Sequence, residues 1–259
     1  MKTQINKLVL LFLAVFAISC SNDSDSETPY EVKENRILKE MDDKTTKTYT
    51  YNGNQLTKVI EIGDLGFGTT QMIENYTYGT DGKVTMVKSD YTGSASFGFR
   101  TSYTYNNVGK IDQIHIEKYT ETSDYSYYII LTYDYTTTNV VKRLEERIQE
   151  GSRTLTIYDI TNGNPSSYSV YKNITPNTPN GQLSYTSLYS DYDTKKTPYT
   201  ALPLVYREPS LFTNNPGKTQ SSGSTTNYTY EYNDDGYPTK ITMSYNNTTS
   251  STTYQYERI

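Results

Sequence analysis

The sequence predicts an all-β fold: an antiparallel meander of repeated hairpins, about 14–16 strands of ordinary length, closed into a barrel or a flattened barrel. An open curved sheet or a two-layer sheet is the alternative. Three observations carry this. Tyrosines recur two residues apart, at Tyr49/Tyr51, Tyr76/Tyr78, Tyr103/Tyr105, Tyr133/Tyr135, Tyr230/Tyr232 and Tyr254/Tyr256, and that spacing puts both rings on one face of a strand. Turn formers follow the pairs, as in Asn52-Gly53, Asp81-Gly82, Asn106-Asn107-Val108-Gly109 and Asn233-Asp234-Asp235-Gly236. Glycine accepts the positive φ that a hairpin loop needs, and Asn and Asp start such turns with their side chains. A return strand then begins at a fixed distance: Val84, Ile111, Val141 and Pro238 each lie six residues past the second tyrosine of a pair. The period is 27 residues between Tyr51, Tyr78 and Tyr105.

In chain order, residues 1–19 read as a signal peptide. Lys2 and Lys7 precede an apolar run from Leu8 to Ile18, too short to span a bilayer comfortably. The run ends Ala17-Ile18-Ser19-Cys20, which resembles the lipobox of bacterial lipoproteins. The resemblance implies cleavage after Ser19 and acylation of Cys20; removing 19 residues leaves 240. Residues 20–33 then form a lipidated, flexible, acidic tether. Asp23, Asp25 and Glu27 resemble the export signal that directs some lipoproteins of Gram-negative bacteria to the outer face of the outer membrane, and a plain solvated linker explains them equally.

Residues 34–259 read as a single tyrosine-rich all-β repeat domain. Arg36–Met41 is a strand without a preceding tyrosine pair, and regular repeats follow to Tyr119, with Gly63–Gly68 as a longer loop. The clearest strand is Tyr125–Tyr135, whose odd positions are Tyr125, Tyr127, Ile129, Leu131, Tyr133 and Tyr135; its other face is mixed. Val140–Gly151 admits a helix through Val141, Leu144 and Ile148, but Val141 and Leu144 also hold repeat positions, which favours a strand. Residues 156–171 and 189–202 read as further hairpins, with Asp193–Pro198 in the turn of the second. The region 173–224 is less regular: 173–181 is a loop by composition, and Glu208–Ser224 is long and strand-poor. Thr252–Glu257 supplies a closing strand.

Composition narrows the function. With 29 Tyr, 6 Phe and no Trp in a chain only 34% hydrophobic, tyrosine must supply much of the buried area, its hydroxyl reaching water or a partner at the edge. The formal charge of −5 becomes −7 without Lys2 and Lys7. With no basic patch, nucleic acid is not an expected partner. A single cysteine excludes an intrachain disulfide. The second face of the strands is Thr, Ser, Lys and Asp, unlike the outward apolar band of a transmembrane barrel.

The residues available for chemistry are few. His115, the only histidine, sits mid-strand on the face opposite Ile114 and Ile116, so a structural role outweighs a catalytic triad. One histidine and one acylated cysteine leave no common zinc site. Asp124, Asp134, Glu145 and Glu146 are available to a two-carboxylate glycosidase, but nothing singles out a pair. Asp81-Gly82 and Asn233–Gly236 lack the acids of a calcium loop. The tyrosine rows read as core rather than as a stacking surface. The expectation is no catalytic residue, no metal and no cofactor. Any binding site is expected in the irregular 173–224 region around Phe212, since function tends to sit on loops.

The unit Tyr103-Thr104-Tyr105-Asn106-Asn107-Val108-Gly109-Lys110-Ile111 resembles a divergent YD (RHS-type) repeat. Together with the lipobox at Cys20, the segment Tyr192-Asp193-Thr194-Lys195-Lys196-Thr197-Pro198-Tyr199 and the later Asn214-Asn215-Pro216, the chain is similar to a family of tyrosine-rich bacterial lipoproteins of unknown function with a porin-like β-fold. The likeness covers most of 34–259. It implies a barrel-like meander and brings no catalytic residues with it. The expected function is a non-catalytic binding or interaction module, anchored through lipid at Cys20 and exposed on the outer membrane, with an unidentified glycan or protein as ligand. A structural envelope protein facing the periplasm is the alternative, and a carbohydrate-active enzyme a third reading.

Overall fold

The computed structural model describes residues 35–64, 69–93, 97–120, 123–175, 177–207 and 212–259. They form sixteen strands: β1 (Asn35–Met41), β2 (Thr45–Asn52), β3 (Gln55–Asp64), β4 (Thr69–Tyr78), β5 (Val84–Gly93), β6 (Phe97–Tyr105), β7 (Ile111–Thr120), β8 (Ser123–Asp134), β9 (Val140–Arg147), β10 (Ser152–Thr161), β11 (Asn164–Lys172), β12 (Gln182–Ser190), β13 (Lys218–Ser221), β14 (Ser224–Tyr232), β15 (Pro238–Tyr245) and β16 (Thr248–Arg258). Each strand pairs with the next, and β1 pairs antiparallel with β16, so the meander closes into a barrel. A one-face-apolar sheet without covering helices has to close in this way or fold into two layers. The segment that admitted a helix is β9, a strand over Val140–Arg147.

The tight turns that follow the tyrosine pairs all lie at the barrel end where β1 begins, here called the near end. Three of them share one geometry. Gly79, Asn106 and Asn233 donate N–H to the carbonyls of Lys83, Lys110 and Tyr237 at 2.8, 2.9 and 2.9 Å. Within each turn Gly82, Gly109 and Gly236 take φ of 77°, 82° and 80°, a region open to glycine at little cost.

The tyrosines explain the repeat length. Where the return strand starts, the register slips: directly after Leu56, Val84, Ile111 and Pro238 the return strand carries one extra residue. Such a bulge breaks the ladder locally. The carbonyl at each slip is taken by the second tyrosine of the following hairpin. Tyr78 hydroxyl donates to Leu56 O at 2.7 Å, Tyr105 to Val84 O at 2.6 Å, Tyr135 to Ile111 O at 3.0 Å and Tyr256 to Pro238 O at 2.8 Å. Tyr51 does the same to Ile37 O at 2.9 Å, beside the slip in β1. The β8–β9 and β9–β10 ladders keep their register. Leu144, paired with Thr132 and Leu155, therefore faces outward although it holds a repeat position.

The connection between β12 and β13 departs from the expected hairpin over 189–202. Instead of a return strand, Pro198–Ala201 and Leu204–Arg207 form two 3-10 turns. Pro198 and Pro203 have no N–H to give a ladder. Leu202 is fully buried and packs with Ile37, Tyr49, Leu56 and Val59, while Val205 packs with the cluster around Val84, Ile111 and Leu131. The inserted segment thus bridges two apolar clusters inside the barrel. Asn215 holds it in place: its N–H donates to Asp193 Oδ1 at 3.0 Å and its side-chain amide to Asp193 Oδ2 at 3.1 Å and Lys196 O at 3.0 Å. The stretch expected to be strand-poor, Glu208–Ser224, contains β13 and the first residue of β14; positions 208–211 lie outside the described residues.

The outward face is charged. Arg100 pairs with Glu117 across β6–β7, Arg153 with Glu146 across β9–β10 and Lys240 with Glu231 across β14–β15, with 3.8, 2.6 and 3.4 Å between charged atoms. No helix among the described residues is long and apolar enough to cross a membrane.

Candidate functional site

The barrel separates the residues that the sequence offers for chemistry. Ser19, Cys20, Asp23, Asp25 and Glu27 lie outside the described residues, as does the Asp124 side chain. His115 stands on the outer wall, where the Tyr128 hydroxyl hydrogen-bonds its Nδ1 and Gln113 Oε1 lies 3.3 Å from its Nε2. Glu145 and Glu146 face opposite ways: Glu145 shares the inner row with Leu131 and holds Arg147 at 2.7 Å, while Glu146 holds Arg153 outside. Asp134 sits at the β8–β9 turn, where bonds from the Thr136 hydroxyl and N–H keep its carboxyl below its ordinary pKa. These acids do not converge.

Asp81 accepts the Lys83 N–H at 3.2 Å within its turn. Among the described residues no group of three or more His, Cys, Asp and Glu is placed to hold a metal ion. Phe212 packs edge-on against Tyr189, with ring centroids 5.1 Å apart, and belongs to the packing at the near end. Its Asn-rich surroundings serve as the clamp on the inserted segment.

A different set of side chains gathers inside the far half of the barrel. Lys47 on β2 lies opposite both Glu40 on β1 and Glu61 on β3, with its Nζ 3.9 Å from a carboxylate oxygen of each. Tyr49 hydroxyl donates to Glu40 at 2.9 Å, and on β4 Glu74 accepts from the Tyr76 and Ser89 hydroxyls at 2.8 and 3.5 Å. Burial raises the carboxyl pKa of Glu74 against the hydrogen bonds from Tyr76 and Ser89, and that of Glu61 against the attraction of Lys47. Burial alone lowers the Lys47 pKa, but Glu40 and Glu61 outweigh it and the net shift is upward.

Tyr199, from the inserted segment, completes the set beside Glu40 and Tyr254. Burial pushes its hydroxyl pKa up, yet 38% of the residue is exposed. Tyr199 thus presents accessible surface beside the carboxylates. The same inner row continues from Glu61 through Met72 and Tyr91 to Phe97. Tyr91 and Phe97 stack at 4.7 Å, Phe99 meets Phe97 edge-on at 5.6 Å, and Lys118 Nζ lies 4.6 Å from the Phe97 ring centre. Carboxylates, an ammonium, phenols and aromatic faces gathered on one inner wall are the means to hold a polar ligand by hydrogen bonds and stacking.

No motif announces these residues. A same-face count finds them: Lys47 and Glu74 lie two residues before Tyr49 and Tyr76, and Glu61 two after Val59, so each continues an inward row.

No protein-family model and no curated protein matches the chain. Among solved structures, a porin-like protein from Bacteroides vulgatus ATCC 8482 aligns over 86% of this chain and 100% of that one, at 12% identity and a TM-score of 0.54. The fold is similar to that of porin-like proteins. A second porin-like protein, from Bacteroides uniformis ATCC 8492, aligns over 89% of this chain and 97% of that one at 15% identity, with a TM-score of 0.39. At such identity the porin-like description covers the barrel and no individual side chain.

Proposed function

We propose that the protein is a lipid-anchored envelope protein: a water-exposed barrel tethered to the outer membrane through acylated Cys20, cleaved after Ser19, and acting as a non-catalytic binding or interaction module. The outward face carries the reading. Charged pairs such as Arg100–Glu117 and Arg153–Glu146 stand where a membrane-embedded barrel needs an apolar band. A porin-like barrel with such a wall stands beside the bilayer, and an acyl anchor accounts for how it stays there. The inner cluster around Tyr199, Glu61 and Glu74 is the place for a ligand, with a glycan or a peptide as the chemistry that its phenols and charges fit. Each acid there is engaged by Lys47 or by a hydroxyl, which supports binding over catalysis.

The test is fractionation followed by protease shaving. Cys20→Ala should move the protein from the membrane to the soluble fraction; retention in the membrane defeats the anchor. Digestion of the barrel on intact cells supports exposure at the surface. Protection until the outer membrane is opened would place it in the periplasm and turn the reading to a structural envelope protein.

A further inference from the structure

The barrel wall has a gap. β12 runs nine residues, Gln182–Ser190, but β13 only four, and the two pair only from Ser187↔Ser221 to Ser190↔Lys218. On its other side β12 stays paired with β11 as far as Gln182, with one extra residue at Ser184 where the register slips. Among the described residues, 182–186 are therefore a strand edge with no strand paired on the β13 side.

The hydrogen-bond parity shows what this edge offers. Tyr228 N donates to Gly217 O at 2.9 Å, so the odd residues of β13 face β14 and the even ones, Lys218 and Gln220, face β12. Their partners Ser190 and Leu188 turn toward β13, and by alternation Thr186 does too. Its N–H and C=O point into the gap, where Ser222 would stand opposite but the β13–β14 turn has already begun.

The side chains at the gap are exposed on both faces, Leu183 by 58% outside and Tyr185 by 36% inside, and Leu188, beside the gap, is exposed by 50% outside. Leu183 also ends an outward row, Leu144–Leu155–Tyr171–Leu183, that crosses four strands. Elsewhere the outer wall carries lysine, arginine and acids, which discourage strand addition. From Gln182 to Ser190 and from Thr219 to Tyr230 there is no charged residue.

We propose that the gap is a docking site for a single extended, uncharged peptide segment of a partner protein, which pairs with the β12 edge at Thr186 in line with β13 and extends the wall beyond the β13–β14 turn. A second copy of this chain does not fit. The two-fold axis relating two antiparallel edges runs normal to the sheet, and in a closed barrel it passes through the barrel's own centre, so the two barrels would overlap. A lone strand has no such conflict. On the near side of the Ser184 bulge its inward side chain meets Tyr185, and beyond the bulge its outward one meets Leu183. The proposal does not depend on the lipid anchor or on the inner ligand site.

The test is selection of phage-displayed random nonapeptides on the purified full-length chain, followed by affinity and amide-exchange measurements with the best binders. Bound peptide should slow exchange of the Thr186 amide at least tenfold. Thr186→Pro removes that N–H, together with the hydroxyl contact to Ser169 on β11, and should weaken binding by about tenfold, the loss of one well-made hydrogen bond; Thr186→Val, which loses only the hydroxyl, should bind as the parent does. If the proline variant fails to fold, Leu183→Lys, which puts a charge beside the added strand, should weaken binding likewise. No selectable peptide, unchanged Thr186 exchange, or equal affinity for the proline or lysine variant and the parent would overturn the proposal.

Discussion

Tyr105 shows what a repeated tyrosine contributes singly. Its ring lies on the core cluster, Lys83 Nζ sits 5.3 Å from the ring centre, and its hydroxyl reaches Val84 O. Tyr105→Phe keeps the ring and strands a carbonyl in a residue that is almost fully buried. The expected cost is about 1–2 kcal/mol, read as a lower urea midpoint with an unchanged slope; an unchanged midpoint would mean that water satisfies the carbonyl. The sequence shows the tyrosine spacing plainly. It does not show the hydroxyl's target, which lies 21 residues back and exists only because the register slips there. The inner charges were hidden for a related reason. Glu40, Lys47, Glu61 and Glu74 sit on four strands and meet only through pairing.

Between elements, the β12–β13 connection matters most. Its prolines disfavour a strand, yet Tyr189 and Tyr192 fit the repeat well enough to suggest another hairpin. What decides the outcome is tertiary: Asn215, more than twenty residues beyond Tyr192, ties Asp193 and Lys196 together, and Leu202 finds the core. Leu202→Ala leaves a hole where a fully buried side chain was, and should cost about 2–5 kcal/mol. Limited proteolysis between 191 and 217 should accelerate as well. Destabilisation without faster cleavage there would mean that the segment does not open separately from the barrel. The regular hairpins were legible because turn chemistry and alternation agree locally, and this segment was not because long-range contacts set its path.

For the molecule as a whole, the buried phenols set the response to alkali. Burial pushes Tyr78 and Tyr135 up to about 12, and Tyr51, Tyr105, Tyr230 and Tyr256 further. An unfolded chain releases tyrosine protons near pH 10, while the folded one keeps them. The folded state then binds more protons than the unfolded, so stability is complete below about pH 10 and falls as the pH rises toward the folded values. Phenolate absorbance should therefore rise late and together with loss of the far-ultraviolet β signal. Early ionisation with an intact signal would contradict the burial of these rings.

The pairing of β1 with β16 also sets an order of events. Every other strand can pair as soon as its successor is made, within a few tens of residues. The seam joins Asn35 to Arg258, and closing so long a loop comes late. Until Thr248–Arg258 has been synthesised, the growing sheet carries a bare β1 on one side and its newest strand on the other. Each nascent chain is a template for its neighbours through that interval, so a chaperone that occupies β1 would decide how many barrels are finished.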